Sequence, residues 1–143
     1  MKTRITMVGC LLAAGLVGQA AAQSCPGGTS RVNNVRDLVG GKTLCAARSP
    51  DRWQEFHSGG PASGALIDYK LGPANAVDPT KTVGSWAAEN GASSLLTHSY
   101  TGGSSFPWLV CQVGSSTRYT LVSTGAAGTI TGATFANGQV ACP

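Results

Sequence analysis

Apolar and polar positions alternate along most of this chain instead of repeating at helical spacing. Beyond residue 40, short alternating stretches are separated by Gly, Pro, Asn and Asp, which is the pattern of strands joined by turns. Eight such stretches follow one another at spacings of roughly 8 to 12 residues. The predicted strands cover residues 42–47, 52–57, 65–71, 82–89, 94–100, 108–114, 117–123 and 129–135.

The connections between these strands are short, which predicts an antiparallel up-and-down order, because parallel neighbours would need long crossovers. Such a sheet hides its edges by closing into a barrel or folding into a sandwich. One helix of about two turns is predicted over 32–39, with four apolar residues on one face and Gly40 and Gly41 ending it. The sequence therefore predicts an all-β domain, 23–143, with a short N-terminal helix.

The first 22 residues have the pattern of a secretory signal peptide. Lys2 and Arg4 precede an apolar run, and Ala20 and Ala22 fit the small-x-small cleavage rule before Gln23. The alternatives are a retained membrane helix, for which the run is too short, and a lipoprotein box at Cys10, which lacks an apolar segment before it. We expect a secreted or periplasmic protein with no membrane anchor after cleavage.

Removal of the signal peptide leaves 121 residues and lowers the net charge from +4 to +2, since Lys2 and Arg4 are lost. This charge is spread along the chain, whereas nucleic-acid binding requires clustered Lys and Arg. We therefore expect no nucleic-acid partner. A chain of this length forms one domain, which we expect to be a monomer stabilised by covalent links.

Four cysteines remain in the mature chain, and in an exported protein an even number predicts disulfides. A zinc site is the alternative, but the chain has no Cys-x-x-Cys pair and only two histidines. Four cysteines allow three pairings. A sheet that closes on itself would bring the first and last strands together, which favours the second cysteine with the fourth. The cysteines are Cys25, Cys45, Cys111 and Cys142.

The segment 53–86 brings acidic, basic and aromatic residues together within 34 residues. Alternation places Trp53, Glu55 and His57 on one face of their strand. In the next strand it predicts an apolar face of Ala65, Ile67, Tyr69 and Leu71, with Leu66, Asp68 and Lys70 on a solvated face. Asp78 is expected in a turn, because proline follows it. Gly84 is expected at a bulge or a close approach of a neighbouring strand.

Candidate chemistry is sparse. Glu55 and His57 share a face, and His98 could join them from the strand 94–100, giving a group able to bind a metal or act in proton transfer. The simpler interpretation is that they are strand residues near a barrel rim. No Gly-x-Ser-x-Gly motif is present. The sequence thus predicts no catalytic residues, no metal, no cofactor and no enzyme.

The motifs WQEFH, GALIDYKLGP and DPTKTVGSW, with the terminal CP, resemble a group of small exported bacterial proteins of uncharacterised function. In outline the chain is similar to the lipocalin-like, or calycin-like, β-barrels. The resemblance covers most of the mature chain and implies a lipocalin-like barrel and a bacterial source. It implies no activity.

Two functions are consistent with these features. In the first, the barrel or its mouth binds a small apolar ligand through Trp53, Glu55, His57, Trp86 and Trp108, in a pocket of about 300 Å³ or more lined by at least two tryptophans. In the second, the protein binds an extracellular protein, for example as an exported hydrolase inhibitor, through the loop 58–64 or 101–107.

Overall fold

The structure is a computed structural model that describes residues 23–49, 51–68 and 80–143. The predicted signal peptide lies outside these residues, as do the predictions for Tyr69, Lys70, Leu71 and Asp78. Within the described ranges, no helix is both long enough and apolar enough to span a membrane.

Nine strands and one short helix follow one another along the described chain. The strands that follow the helix lie close to the predicted stretches, and the first strand was not predicted. The elements are β1 (Thr29–Arg31), α1 (Val35–Val39), β2 (Lys42–Arg48), β3 (Asp51–His57), β4 (Ser63–Asp68), β5 (Lys81–Ala88), β6 (Leu96–Tyr100), β7 (Ser105–Val113), β8 (Tyr119–Ser123) and β9 (Thr129–Asn137).

The eight strands β2 to β9 form a closed up-and-down barrel. Each strand is antiparallel to the next along the chain, and β9 pairs with β2, which closes the sheet. The first strand, β1, adds to the end of β7, where Arg31 lies opposite Cys111. The predicted fold class is confirmed, and the architecture is consistent with a lipocalin-like barrel. Closure removes the free edges that an open sheet of this kind would expose.

Two disulfides link cysteines outside the strands to cysteines in the barrel wall. Cys45 is bonded to Cys142, as the closed sheet predicts, and Cys25 is bonded to Cys111. The bonded pairs are 97 and 86 residues apart in sequence, so each closes a long loop and restricts the unfolded chain. Disulfides of this kind are typical of oxidising compartments.

The helix α1 packs at one end of the barrel. Val35 and Val39 are fully buried, and the helix contacts β2 and β5. The Arg36 side chain donates to the Ala88 carbonyl oxygen at 3.0 Å, which holds the helix against β5. Both valines belong to the apolar core of the barrel, which also includes Leu66, Trp86 and Leu96.

The sequence analysis predicted the wrong face of β4 to point into the barrel. Leu66 lies opposite His57 and is fully buried, and Asp68 lies opposite Glu55, so both belong to the inward face. Ile67 is on the outward face and half-buried. Both faces of this strand carry apolar residues, so alternation alone cannot distinguish them. Pairing with β3 decides which face turns inward.

Gly84 lies at a close approach between strands, as predicted. Between β4 and β5 the register shifts, because Leu66 pairs with Gly84 and Ile67 pairs with Thr82. A Cβ atom at Gly84 would lie 2.0 Å from the backbone oxygen of Ser99 on β6. Only glycine therefore fits between these strands without a shift of the backbone.

We expect Gly84→Ala to lower the free energy of unfolding by about 1–3 kcal/mol, because the added methyl group collides with rigid backbone. Gly27→Ala is the matched control, since a Cβ atom there meets nothing within 4 Å and should change stability by no more than about 0.5 kcal/mol. Urea denaturation of both variants measures the difference. Equal stability of the two variants would contradict the close approach.

Candidate functional site

Three titratable side chains form a hydrogen-bonded chain inside the barrel. Glu55 and His57 point inward from β3, and His98 points inward from β6. The two Nε2 atoms of His57 and His98 are 2.9 Å apart, and Nδ1 of His98 is 3.2 Å from Oε2 of Glu55. The shared face predicted for Trp53, Glu55 and His57 therefore meets the third predicted group across the interior.

The ends of this chain are held by two further groups. Nδ1 of His57 lies 3.0 Å from the carbonyl oxygen of Lys42 on β2, and the Tyr100 hydroxyl donates to Oε1 of Glu55 at 2.5 Å. The side chains of Glu55, His57 and His98 are almost fully buried, at 3 %, 0 % and 2 % exposure. No buried side-chain nitrogen or oxygen in the described residues lacks a hydrogen-bond partner.

The proton positions follow from the partners. A carbonyl oxygen only accepts, so His57 must donate from Nδ1 to Lys42. Burial lowers the pKa of His57 from 6.5 to about 3, and the charge of His98 acts in the same direction. His57 is therefore neutral at neutral pH, and its Nε2 accepts a hydrogen bond from Nε2–H of His98.

One more proton lies between His98 and Glu55. Burial by itself raises the pKa of the Glu55 carboxyl, but the hydrogen bond and charge of His98, together with the hydrogen bond from Tyr100, hold that pKa below its ordinary value. The carboxyl is then ionised, and the proton resides on Nδ1 of His98. The barrel interior thus contains an imidazolium and a carboxylate in contact.

Tyr100 is a hydrogen-bond donor in this arrangement and stays protonated. Burial raises the pKa of its hydroxyl well above the usual range, and the neighbouring Glu55 charge raises it further. Tyr100 was not predicted as part of the group. The alternation of Leu96, His98 and Tyr100 along β6 is the signal that places it on the same face as His98.

The arrangement is built for hydrogen bonds between the side chains themselves. Two imidazole nitrogens bound to one tetrahedral zinc ion would be roughly 3.3 Å apart, given Zn–N distances of about 2.0–2.1 Å. The Nε2 atoms are closer than this, at 2.9 Å, and both have partners. In the described part of the chain, no group of three or more His, Cys, Asp or Glu side chains could hold a metal ion.

A cavity of about 150 Å³ lies beside this chain of hydrogen bonds. Its wall is mainly aromatic and aliphatic, and Glu55, His98 and Tyr100 contribute the polar part. The remaining lining residues are Leu44, Arg48, Trp53, Phe106, Trp108, Leu121, Ala127 and Ile130.

The solvent side of the cavity is marked by Arg48, which is exposed. Its Nη1 donates to the Ala127 carbonyl oxygen at 2.7 Å, and its guanidinium lies 5.5 Å from the ring centroid of Trp53. Arg48 therefore bridges the end of β2 and the β8–β9 connection at the mouth. Sequence reasoning missed this residue, since nothing in the alternation distinguishes it from other surface cations.

The cavity differs from the predicted pocket in size and in two of the predicted lining residues, because neither His57 nor Trp86 lines it. Trp53 and Trp108 line it, but its volume is half of the expected 300 Å³. Trp86 is buried against His57 instead, and its Nε1–H donates to the Ser58 carbonyl oxygen at 2.9 Å.

Comparison of this chain with protein-family models, with curated proteins and with solved structures finds no match.

We expect Glu55→Gln to lower the free energy of unfolding by about 1.5–3 kcal/mol, because it removes the charged acceptor of the buried hydrogen bonds from Tyr100 and His98. Glu89→Gln is the matched control. Glu89 is exposed, and its neutralisation should change stability by no more than about 0.5 kcal/mol. Denaturation of both variants at pH 7 measures the difference. A loss below 1 kcal/mol in Glu55→Gln would contradict the proton assignment.

Stability should fall with acidification from about pH 6.5 to 3. In this range the unfolded chain binds a proton at His57 that the folded chain does not, since the folded pKa is about 3. The expected slope is up to about 1.4 kcal/mol per pH unit. Below about pH 4.5 the lowered pKa of Glu55 contributes a loss of the same sign.

The contribution of His57 can be separated above pH 4.5. We expect His57→Gln to flatten the dependence of stability on pH between 6.5 and 4.5, because glutamine does not titrate. Urea denaturation at pH 6.5, 5.5 and 4.5 measures both slopes. If wild type and variant gave parallel slopes, the lowered pKa of His57 would be excluded.

Proposed function

We propose that this protein binds a small, mainly apolar ligand in the barrel cavity. The observation that supports the proposal is the cavity itself, about 150 Å³ in volume and walled by the rings of Trp53, Tyr100, Phe106 and Trp108. An apolar cavity of this volume in another protein takes up benzene. The ligand is therefore the size of a single six-membered ring.

The position of Arg48 at the mouth of the cavity suggests a route by which a ligand enters. Arg48 is anchored there by one hydrogen bond to a backbone oxygen and by its contact with Trp53. Exposed contacts of this kind contribute little to stability. The side chain can therefore move aside at low cost, which lets a ring pass between β2 and the β8–β9 connection.

Export belongs to the same proposal. The signal-like segment 1–22 and the two disulfides both fit a protein that folds in the periplasm or outside the cell. A bacterial source and membership of the small exported proteins that the sequence resembles are part of this proposal. The partner is then a small molecule met after export.

The exported-inhibitor function stays a hypothesis. The loop 101–107 is exposed over residues 101–105, as an inhibitory loop would have to be. However, no described contact of this loop or of the loop 58–64 points to a partner. The cavity has a defined size and wall chemistry, so it carries the proposal.

Toluene is a suitable probe for the cavity. Burial of its seven carbons, less the cost of association, predicts a Kd of about 0.1–1 mM. Calorimetry and tryptophan fluorescence should both report binding, since two of the three tryptophans line the cavity. Absence of binding up to the solubility limit of toluene would overturn the proposal.

Two variants at neighbouring positions test whether toluene binds in this cavity. Ala127→Leu adds three carbons at the mouth and should weaken toluene binding at least tenfold. Ala126→Leu is the matched control, because Ala126 does not line the cavity, and it should bind as the wild type does. Both variants keep the backbone oxygen that Arg48 uses. Equal toluene affinity in the two variants would place the bound toluene elsewhere.

A further inference from the structure

The deep wall of the cavity offers hydrogen-bond acceptors and no free donor. His98 uses both of its N–H groups, one on Glu55 and one on His57. The Tyr100 hydroxyl uses its proton on Glu55. These are the polar side chains at the buried end, whereas Arg48, with its remaining N–H groups, lies at the exposed mouth.

The acceptors at this wall have capacity left. An ionised carboxylate has about four lone-pair sites, and one partner is present on each oxygen of Glu55. The Tyr100 oxygen also retains its lone pairs. A ligand group that reaches this wall must therefore donate a hydrogen bond. An acceptor group or an anion would face the carboxylate without compensation.

The charged groups that line the cavity, Glu55, His98 and Arg48, favour a neutral donor over a cationic one. The Glu55 carboxylate is already paired with the His98 imidazolium, and the Trp53 ring already has the Arg48 guanidinium over it. A second organic cation in about 150 Å³ would lie close to both positive groups. A neutral O–H or N–H group forms the hydrogen bond without that repulsion.

We infer that the cavity recognises a single-ring aromatic compound with a neutral hydrogen-bond donor, of the phenol class, whose donor is accepted by the carboxylate of Glu55. The inference rests on the proposed function, since it specifies the ligand of the same cavity. Tyr100 provides the internal precedent, because its own phenol group donates to Oε1 of Glu55 at 2.5 Å. The aromatic rings of Trp53, Phe106 and Trp108 hold the ligand ring.

The test compares phenol, toluene and fluorobenzene, which have the same number of non-hydrogen atoms. Binding to the wild-type mature protein is measured by calorimetry at pH 7, where phenol is neutral. We expect phenol to bind about tenfold more tightly than toluene, because a hydrogen bond to a charged acceptor outweighs the loss of phenol hydration. Fluorobenzene, which cannot donate, should bind no better than toluene.

The outcomes distinguish this inference from the proposed function. Toluene binding as tightly as phenol, or more tightly, would overturn the inference and leave an apolar ligand site. Failure of all three compounds to bind would overturn both. Benzoate binding more tightly than phenol would also overturn the inference, because the anion would then be recognised by Arg48 at the mouth.

A second measurement reports on Glu55 directly. The chain has two glutamates, Glu55 and Glu89, so Glu89→Gln assigns the two carboxyl signals in the ¹³C spectrum of protein labelled at glutamate. Phenol should shift the Glu55 carboxyl signal, and toluene should shift it far less. Equal shifts with the two compounds would overturn the assignment of Glu55 as the acceptor.

Tyr100→Phe tests whether the Glu55 carboxylate or the Tyr100 oxygen accepts the hydrogen bond from the ligand. The variant removes the Tyr100 oxygen and releases a lone pair of Glu55, so the preference for phenol over toluene should be kept or increased. Tyr119→Phe is the control, since Tyr119 does not line the cavity, and its preference should equal that of the wild type. Loss of the preference in Tyr100→Phe alone would show that Tyr100 is the acceptor, against the inference.

Discussion

The interior of this barrel depends on the hydrogen bond from Nδ1 of His98 to the carboxylate of Glu55. The pair joins β6 to β3, two strands that are separated by β4 and β5 in the sheet. His57 extends the connection to the backbone of β2. Removal of His98 would leave the Glu55 carboxylate buried without its charged partner, and such a charge costs several kcal/mol. The polar chain therefore fixes how opposite parts of the wall face each other.

The same pair determines what kind of space remains beside it. Every side-chain donor of the polar chain already has a partner, either within the chain or at the Lys42 carbonyl oxygen, so the wall that meets the cavity carries acceptors. The rest of the lining is aromatic and aliphatic. Under the proposed function, an acidic buried end and an otherwise apolar wall would hold an amphipathic ring in one orientation, because only its donor end can meet the carboxylate.

Strand alternation was sufficient to predict the shared face of Trp53, Glu55 and His57, and the same rule applied to β6 gives His98 and Tyr100. Which strands face each other across the barrel depends on the number of strands and on closure between β2 and β9, which only long-range pairing decides. Leu66 shows the limit of alternation as a guide, because the pairing of β4 with β3, which sets Leu66 opposite His57, decides that Leu66 points inward. Cavity volume was unpredictable for a related reason, since it is the small remainder left by all the packed side chains.

A contribution to stability alone explains the polar chain less well than the proposed binding role does. A buried ion pair is seldom more stabilising than apolar side chains of the same volume, and the interior around it is apolar, with Leu44, Leu121 and Ile130 on the adjoining wall. Apolar residues at the positions of Glu55 and His98 would extend that core and reduce the space. The acidic group instead lies at the buried end of a cavity that opens near Arg48. Its position there has a physical use when a ligand brings a hydrogen-bond donor to it.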